Sequence, residues 1–163
     1  MKSEGEKKGE KEMKKLLAII ISGCCAFALY FGANVGADEK EKEAAKVPLE
    51  NYLKGHATGN PEFMRKAFHT EGKLIFIRDG KYTTRTFEEY IAGMKDGKPA
   101  ADEAKRKRWI ESVEVAGNAA VGKIILDYPT VKFIDYMTML KIDGEWKIVN
   151  KSFYAEPKAP PAK

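Results

Sequence analysis

Cysteine is nearly absent from this chain. The two present, Cys24 and Cys25, sit side by side within its longest apolar run. From residue 38 onward there is no thiol, so neither a disulfide framework nor a cysteine nucleophile is available there. Histidine is also scarce: His56 and His69 are the only two, and no His-x-x-His spacing occurs. No dedicated metal site is expected on that basis, and no cofactor. A glycine-rich phosphate loop, a serine in a nucleophile-elbow setting and any internal repeat are missing as well. The charge excess is small. Residues 1–37 hold six Lys and four Glu, and the remaining 23 basic and 20 acidic side chains leave only +3 with the signs interspersed. The basic run Lys105–Arg108 beside Trp109 reads as a solvated strand entrance, and no nucleic-acid partner is expected.

What is present begins with a targeting pattern. Met13-Lys14-Lys15 precedes the apolar run Leu16–Phe31, and Val35-Gly36-Ala37 puts small residues before Asp38. A basic start, a short apolar stretch and a small-residue exit describe a secretory signal peptide over residues 1–37, with translation starting at Met1 or Met13. Export to the periplasm or beyond follows, with no membrane attachment after cleavage. Ile21-Ser22-Gly23-Cys24 offers the alternative of a lipid anchor on Cys24. Residues 38–46 read as a charged linker, residues 47–156 as one domain, and 157–163 as a disordered Pro/Ala/Lys tail.

Within the domain, Pro48 is expected in the first turn of a helix whose Leu49, Tyr52, Leu53 and His56 form one stripe. Asn60-Pro61-Glu62 starts a second helix, with Asn as cap and Pro at the first helical position. It is expected to break at His69–Gly72. Lys73–Arg78 is a strand turned by Asp79-Gly80 into Lys81–Thr84. Thr86-Phe87-Glu88-Glu89 is a capping box opening a third helix. Residues 95–103 read as a polar loop. Two long hairpins follow, around Gly117-Asn118 and Asp143-Gly144. Helices followed by antiparallel strands make an α+β fold.

Pairing across two-residue turns sets the faces. In the last hairpin it opposes Met139 to Ile148, Met137 to Asn150 and Asp135 to Ser152. One face then carries Trp146, Met139, Ile148 and Met137 and ends in Asp135, Asn150 and Ser152: an apolar wall with a polar floor, the build of a small-molecule pocket. In the other hairpin, Trp109, Glu111, Val113 and Tyr128 share the pocket side. Asp135 is the candidate general base, with His69 as proton carrier, and Asn150, Ser152, Trp109, Glu111, Tyr128, Met137 and Trp146 are the candidate ligand contacts. Structural roles for the same polar groups remain an open alternative. The reverse face, with Ile134, Tyr136, Lys151 and Phe153, forms a strip suited to a homodimer contact.

Several segments in their order and spacing resemble one group of proteins. They are Tyr52-Leu53-x-Gly55-His56-Ala57-Thr58-Gly59, Phe68-His69, Arg78-Asp79-Gly80, Asp127-Tyr128-Pro129, and Asp135-Tyr136 with Leu140 before Asp143-Gly144-x-Trp146-x-Ile148-x-Asn150-Lys151. Over Val47–Tyr154 the chain resembles the NTF2-like superfamily, within it the lumazine-binding-like group close to the SnoaL-like proteins. That resemblance implies a cone of three N-terminal helices packed on a strongly curved, mainly antiparallel sheet, with a cavity between the layers and dimerisation through the outer sheet face. The function it implies is binding of a small, partly apolar molecule. The alternatives are an isomerase or cyclase using a pocket Asp as base, and a non-catalytic dimeric interaction module.

Overall fold

The structure, a computed structural model, describes residues 38–94 and 97–159. The chain divides into two compact units, residues 1–40 and 41–163. Only 38–40 of the first are described, and they are helical. The signal peptide expected over residues 1–37, with Cys24 as the alternative lipid site, lies outside the described residues. Among those described, no helix is long and apolar enough to cross a membrane.

Helix α1 runs over 38–58. It therefore takes in the stretch 38–46 expected to be a linker. The reason is tertiary: Ala45 is fully buried, and Glu41 receives both Lys141 Nζ, at 2.7 and 2.8 Å, and the Trp146 indole N–H at 3.2 Å. Pro48 consequently lies inside the helix, not at its start, and withholds one amide hydrogen from the preceding turn. Helix α2, Pro61–Ala67, is capped by Asn60, whose side chain accepts the Glu62 amide. Helix α3, Phe87–Ile91, carries the Thr86/Glu89 capping box in both directions.

Six strands follow the order β2-β1-β6-β5-β4-β3 in one sheet. They are β1 Phe68–Arg78, β2 Lys81–Thr86, β3 Lys107–Ala116, β4 Ala119–Asp127, β5 Val131–Ile142 and β6 Glu145–Pro157. All neighbours are antiparallel except β1 and β6, which run parallel. The helices pack on one side of this curved, unclosed mixed sheet. His69–Gly72, expected as a break, is the start of β1. β6 runs on to Pro157, and Lys158 pairs with Asp127, so the ordered chain extends into the expected tail.

The turns form as their sequences dictate. Asp79-Gly80 and Asp143-Gly144 have positive φ at both positions, as a type I′ hairpin requires. Close packing of α1 on the sheet requires another glycine: a Cβ at Gly122 would lie 2.6 Å from Leu49 Cδ1. The core beneath α1 and α2 is dense, with Leu49, Met64, Ile124, Met137, Met139 and Ile148 all at most 1% exposed.

Two one-residue bulges then overturn the expected faces. In the last hairpin Leu140 opposes Lys147 and Met139 opposes Ile148, as a two-residue turn demands. Beyond them Val149 is an extra residue, and Thr138 opposes Asn150, Met137 opposes Lys151, Tyr136 opposes Ser152 and Asp135 opposes Phe153. A one-residue slip moves every later side chain to the other face. Lys151 and Phe153 therefore point inward, and Asn150 and Ser152 outward. In the other hairpin Glu111 is the extra residue, so Ile110 opposes Ile124 and Arg108 opposes Leu126. Arg108 turns inward while Trp109 and Glu111 face out.

Candidate functional site

Where the helices leave the sheet, a cavity of about 180 Å³ opens, lined by His56, Leu74, Phe76, Arg78, Arg85, Tyr90, Leu126, Tyr128, Phe133, Lys151 and Phe153. Each element contributes for a local reason. The i, i+4 spacing of Tyr52 and His56 puts both on the buried stripe of α1. The Thr86 cap fixes the start of α3 and with it Tyr90. Alternation along β1 turns Leu74 and Phe76 inward, and the Val149 bulge delivers Lys151 and Phe153. Phe76 and Phe153 pack with ring centroids 4.7 Å apart.

The floor is polar and fully internal. Lys151, 4% exposed, donates from Nζ to the Tyr52 hydroxyl at 2.6 Å and pairs with Asp135 Oδ2 at 3.0 Å. The Tyr52 hydroxyl donates to the same Oδ2 at 2.6 Å. Asp135 is 0% exposed, and its Oδ1 has no hydrogen-bond partner among the described residues. The ammonium also lies over the rings of Phe153, Tyr52 and Tyr90, at 4.7, 5.0 and 5.6 Å. Burial pushes the Lys151 amine below the ordinary lysine range, with Asp135 pulling the other way. Burial, then Asp135, raises Tyr52 well above an ordinary phenol.

A second polar chain lines the wall. His56 Nε2 shares a hydrogen bond with the Tyr90 hydroxyl at 2.9 Å, and Nδ1 one with the Tyr128 hydroxyl at 3.4 Å. Burial, then the charges of Lys151, Arg108 and Arg106, hold His56 well below the usual imidazole range, so it is neutral at physiological pH. Arg108 donates to the Tyr128 hydroxyl at 3.1 Å and forks onto Glu103 at 2.5 and 2.6 Å. Arg106 stacks 4.3 Å above the Tyr128 ring. Burial raises Tyr128, opposed by the Arg108 hydrogen bond.

The residues singled out from sequence are dispersed. Tyr128 lines the cavity. Asp135 stands behind Lys151 and Tyr52, touching the cavity only through them. Met137 is core, and Trp146 is buried beside Glu41 at the other end of the sheet. Asn150 and Ser152 point away from the cavity because of the Val149 bulge. The Glu111 bulge leaves Trp109 41% exposed and pairs Glu111 with Lys123 at 2.5 Å. His69 accepts the Glu71 amide at the β1 entrance and takes no part in the cavity. The expected outer strip is likewise split: Ile134 and Tyr136 remain outside, while Lys151 and Phe153 are inside.

Sequence reasoning missed Lys151, Tyr90, Phe76, Phe133, Phe153, Arg78, Arg85 and Arg108 as site residues. A signal for the β6 slip exists in the adjacent pair Ile148-Val149. Trp146 and Ile148 fall at even positions, Val149 and Phe153 at odd ones, a change of phase that marks a bulge. The doublet Glu111-Ser112 breaks the alternation of β3 in the same way. Among the described residues, no group of three His, Cys, Asp or Glu side chains is arranged to hold a metal ion.

Comparison with known proteins places this architecture. The chain is 24% identical over 120 residues to "Aldolase FrzH" from Cladobotryum sp., a match spanning 72% of this chain and 94% of the relative. An NTF2-like protein of unknown function from Shewanella baltica OS155 superposes with a TM-score of 0.65 at 24% identity, covering 73% of this chain and 96% of that one. A second, from Silicibacter pomeroyi DSS-3, gives 0.63 at 22% identity over 72% and 98%. The family model described as "Putative lumazine-binding" matches residues 40–154. The family model shows that the chain belongs to this putative lumazine-binding family, and its fold is that of the NTF2-like proteins.

Proposed function

We propose that this domain binds a small, partly apolar molecule in the cavity between its helices and sheet. The observation that carries the reading is the buried ammonium of Lys151 in a cavity wall that is mainly aromatic and aliphatic and holds Arg78 and Arg85 besides. Burying a charge is costly unless it is paired, and a hydrophobic residue there would pack more cheaply. A few polar groups converging in an apolar cleft fix a ligand's orientation. Lys151, Arg78 and Arg85 supply positive charge, and among the described residues no acid lines the cavity, so an electron-rich oxygen on the ligand is favoured. At about 180 Å³ the space is smaller than the roughly 300–1,000 Å³ of drug-sized pockets. It suits a molecule the size of one substituted ring.

The family match and the largely aromatic lining support binding. A catalytic second reading is supported by the Tyr52–Asp135–Lys151 hydrogen-bonded cluster at the cavity floor and by the aldolase named among the relatives. In it, Asp135 moves protons through Lys151 and Tyr52. Native mass spectrometry of protein purified from its own host tests the binding reading. A retained small molecule, lost in Phe133→Trp, is expected; an empty protein that also fails to bind benzoate or benzyl alcohol contradicts it.

Two features of the whole chain are proposed alongside. The pattern at residues 13–37 supports export, with Asp38 as the mature N-terminus or a lipid on Cys24. N-terminal sequencing of the secreted or periplasmic form distinguishes them. The outer sheet face, where Tyr136 is 53% and Tyr154 61% exposed beside Ile134 and Trp109, supports a homodimer. A monomer by light scattering at micromolar concentration would exclude it.

A further inference from the structure

We propose that Lys151 is a nucleophilic amine that condenses with the carbonyl carbon of a small aldehyde or ketone held in this cavity, forming an iminium. The proposal rests on the cavity being a small-molecule site and names the class of molecule. Three observations carry it. Lys151 is the lysine in the cavity wall, among aromatic rings that fit a flat carbonyl compound. Its polar partners, Tyr52 Oη at 2.6 Å and Asp135 Oδ2 at 3.0 Å, belong to residues outside the cavity lining. Beside it, Asp135 Oδ1 is buried without a partner, an acceptor in reserve for the proton that the ammonium must release before it can attack.

The balance closes without any further reagent. Lys151 passes one proton to Asp135, and the neutral amine adds to the carbonyl carbon. A C–N bond forms as the carbonyl π pair moves to oxygen, which takes up the proton that the newly bonded, positively charged nitrogen gives up. The carbinolamine oxygen then leaves as water, carrying the proton returned by Asp135, while the nitrogen lone pair closes the C=N bond. In sum, ammonium plus carbonyl gives iminium plus water. Desolvation of the amine favours its neutral, nucleophilic form. An iminium makes the adjacent C–H bonds acidic, the activation that aldol and enolisation chemistry require. In this role Asp135 and Tyr52 are positioning and proton-transfer residues, and Lys151 forms the bond.

The test is reductive trapping of the wild-type protein with benzaldehyde and cyanoborohydride at neutral pH, followed by peptide mass mapping. One benzyl group on Lys151 is expected, appearing more than about tenfold faster than on any exposed lysine, as for a reaction made intramolecular by a binding site. Excess benzyl alcohol, which has the ring without the carbonyl, should suppress it, and Lys151→Met should lose it. Label spread over exposed lysines with Lys151 unmodified overturns the proposal. Ligand-observed NMR with benzyl alcohol separates the two ways of failing. If the alcohol binds yet Lys151 stays unlabelled, the cavity reading stands and the covalent step falls. If neither is seen, both fall.

Discussion

The inner side of this sheet has two ends built from the same strands and the same helix, and they behave differently. Beneath the first part of α1, Leu49, Met64, Met137, Met139 and Ile148 belong to one core cluster and are at most 1% exposed. Further along, Tyr90, Tyr128, Phe133, Lys151 and Phe153 stand around about 180 Å³ of space. The boundary between the ends falls at the bulges. Before Val149, β6 contributes the inward pair Trp146 and Ile148. After it, β6 contributes Lys151 and Phe153. One inserted residue thus changes what faces the helices from an apolar lining to a charged floor. Packing fills one end, and at the other the bulge turns Lys151 and Phe153 toward the helices.

Breaking the charged floor should have the largest effect. Lys151→Met alone should cost about 3–5 kcal/mol in urea titration, because it leaves Asp135 buried and unpaired. The double variant Lys151→Met/Asp135→Leu should recover most of that loss. If it does not, the pair is not what balances the floor.

Truncations should separate the two ends next. Leu49→Ala in the filled end should cost about 2–5 kcal/mol, whereas Phe133→Ala, half-buried at the cavity wall, should cost about 1–2 kcal/mol yet weaken benzyl alcohol binding more. Equal costs would mean that the cavity end is packed like the core. Gly122→Ala should cost about 1–3 kcal/mol by overpacking against Leu49.

The smallest effect is a pH slope. His56 in the folded protein protonates well below the imidazole's ordinary 6.5, so on acidification the unfolded chain takes up that proton first. Stability is therefore fully present above about pH 6.5 and falls as pH drops below it, by up to about 1.4 kcal/mol per unit. In His56→Asn that part of the slope should vanish, read as a smaller fall in melting temperature between pH 7 and 5.

Much of the fold was legible because short-range chemistry decides it. Asn60 as a cap, the Thr86/Glu89 box and the Asp-Gly turns act within a few residues, and each stands where its sequence says. The stripe Leu49, Tyr52, His56 was also readable, since helical period alone puts these residues on one side. The start of α1 was not: Glu41 is ordered by Lys141 and Trp146, a hundred residues away in the chain. The site was least legible, because strand faces depend on an unbroken period of two. Each bulge reverses that period, so Lys151 was assigned outward and Asn150 inward from the same correct turn. Asp135 stands on β5, which carries no extra residue, so the sequence puts it on the inner face, where it lies.

The central claim is that Lys151 stands in the wall of a cavity that admits a small ring compound. Lysine side-chain NMR of labelled protein, titrated with benzyl alcohol, tests it most directly. The account predicts that one lysine signal, identified by its loss in Lys151→Met, shifts progressively and saturably while the exposed lysines stay in place. A Lys151 signal unmoved throughout the titration, or one that moves only together with the exposed lysines, would contradict it.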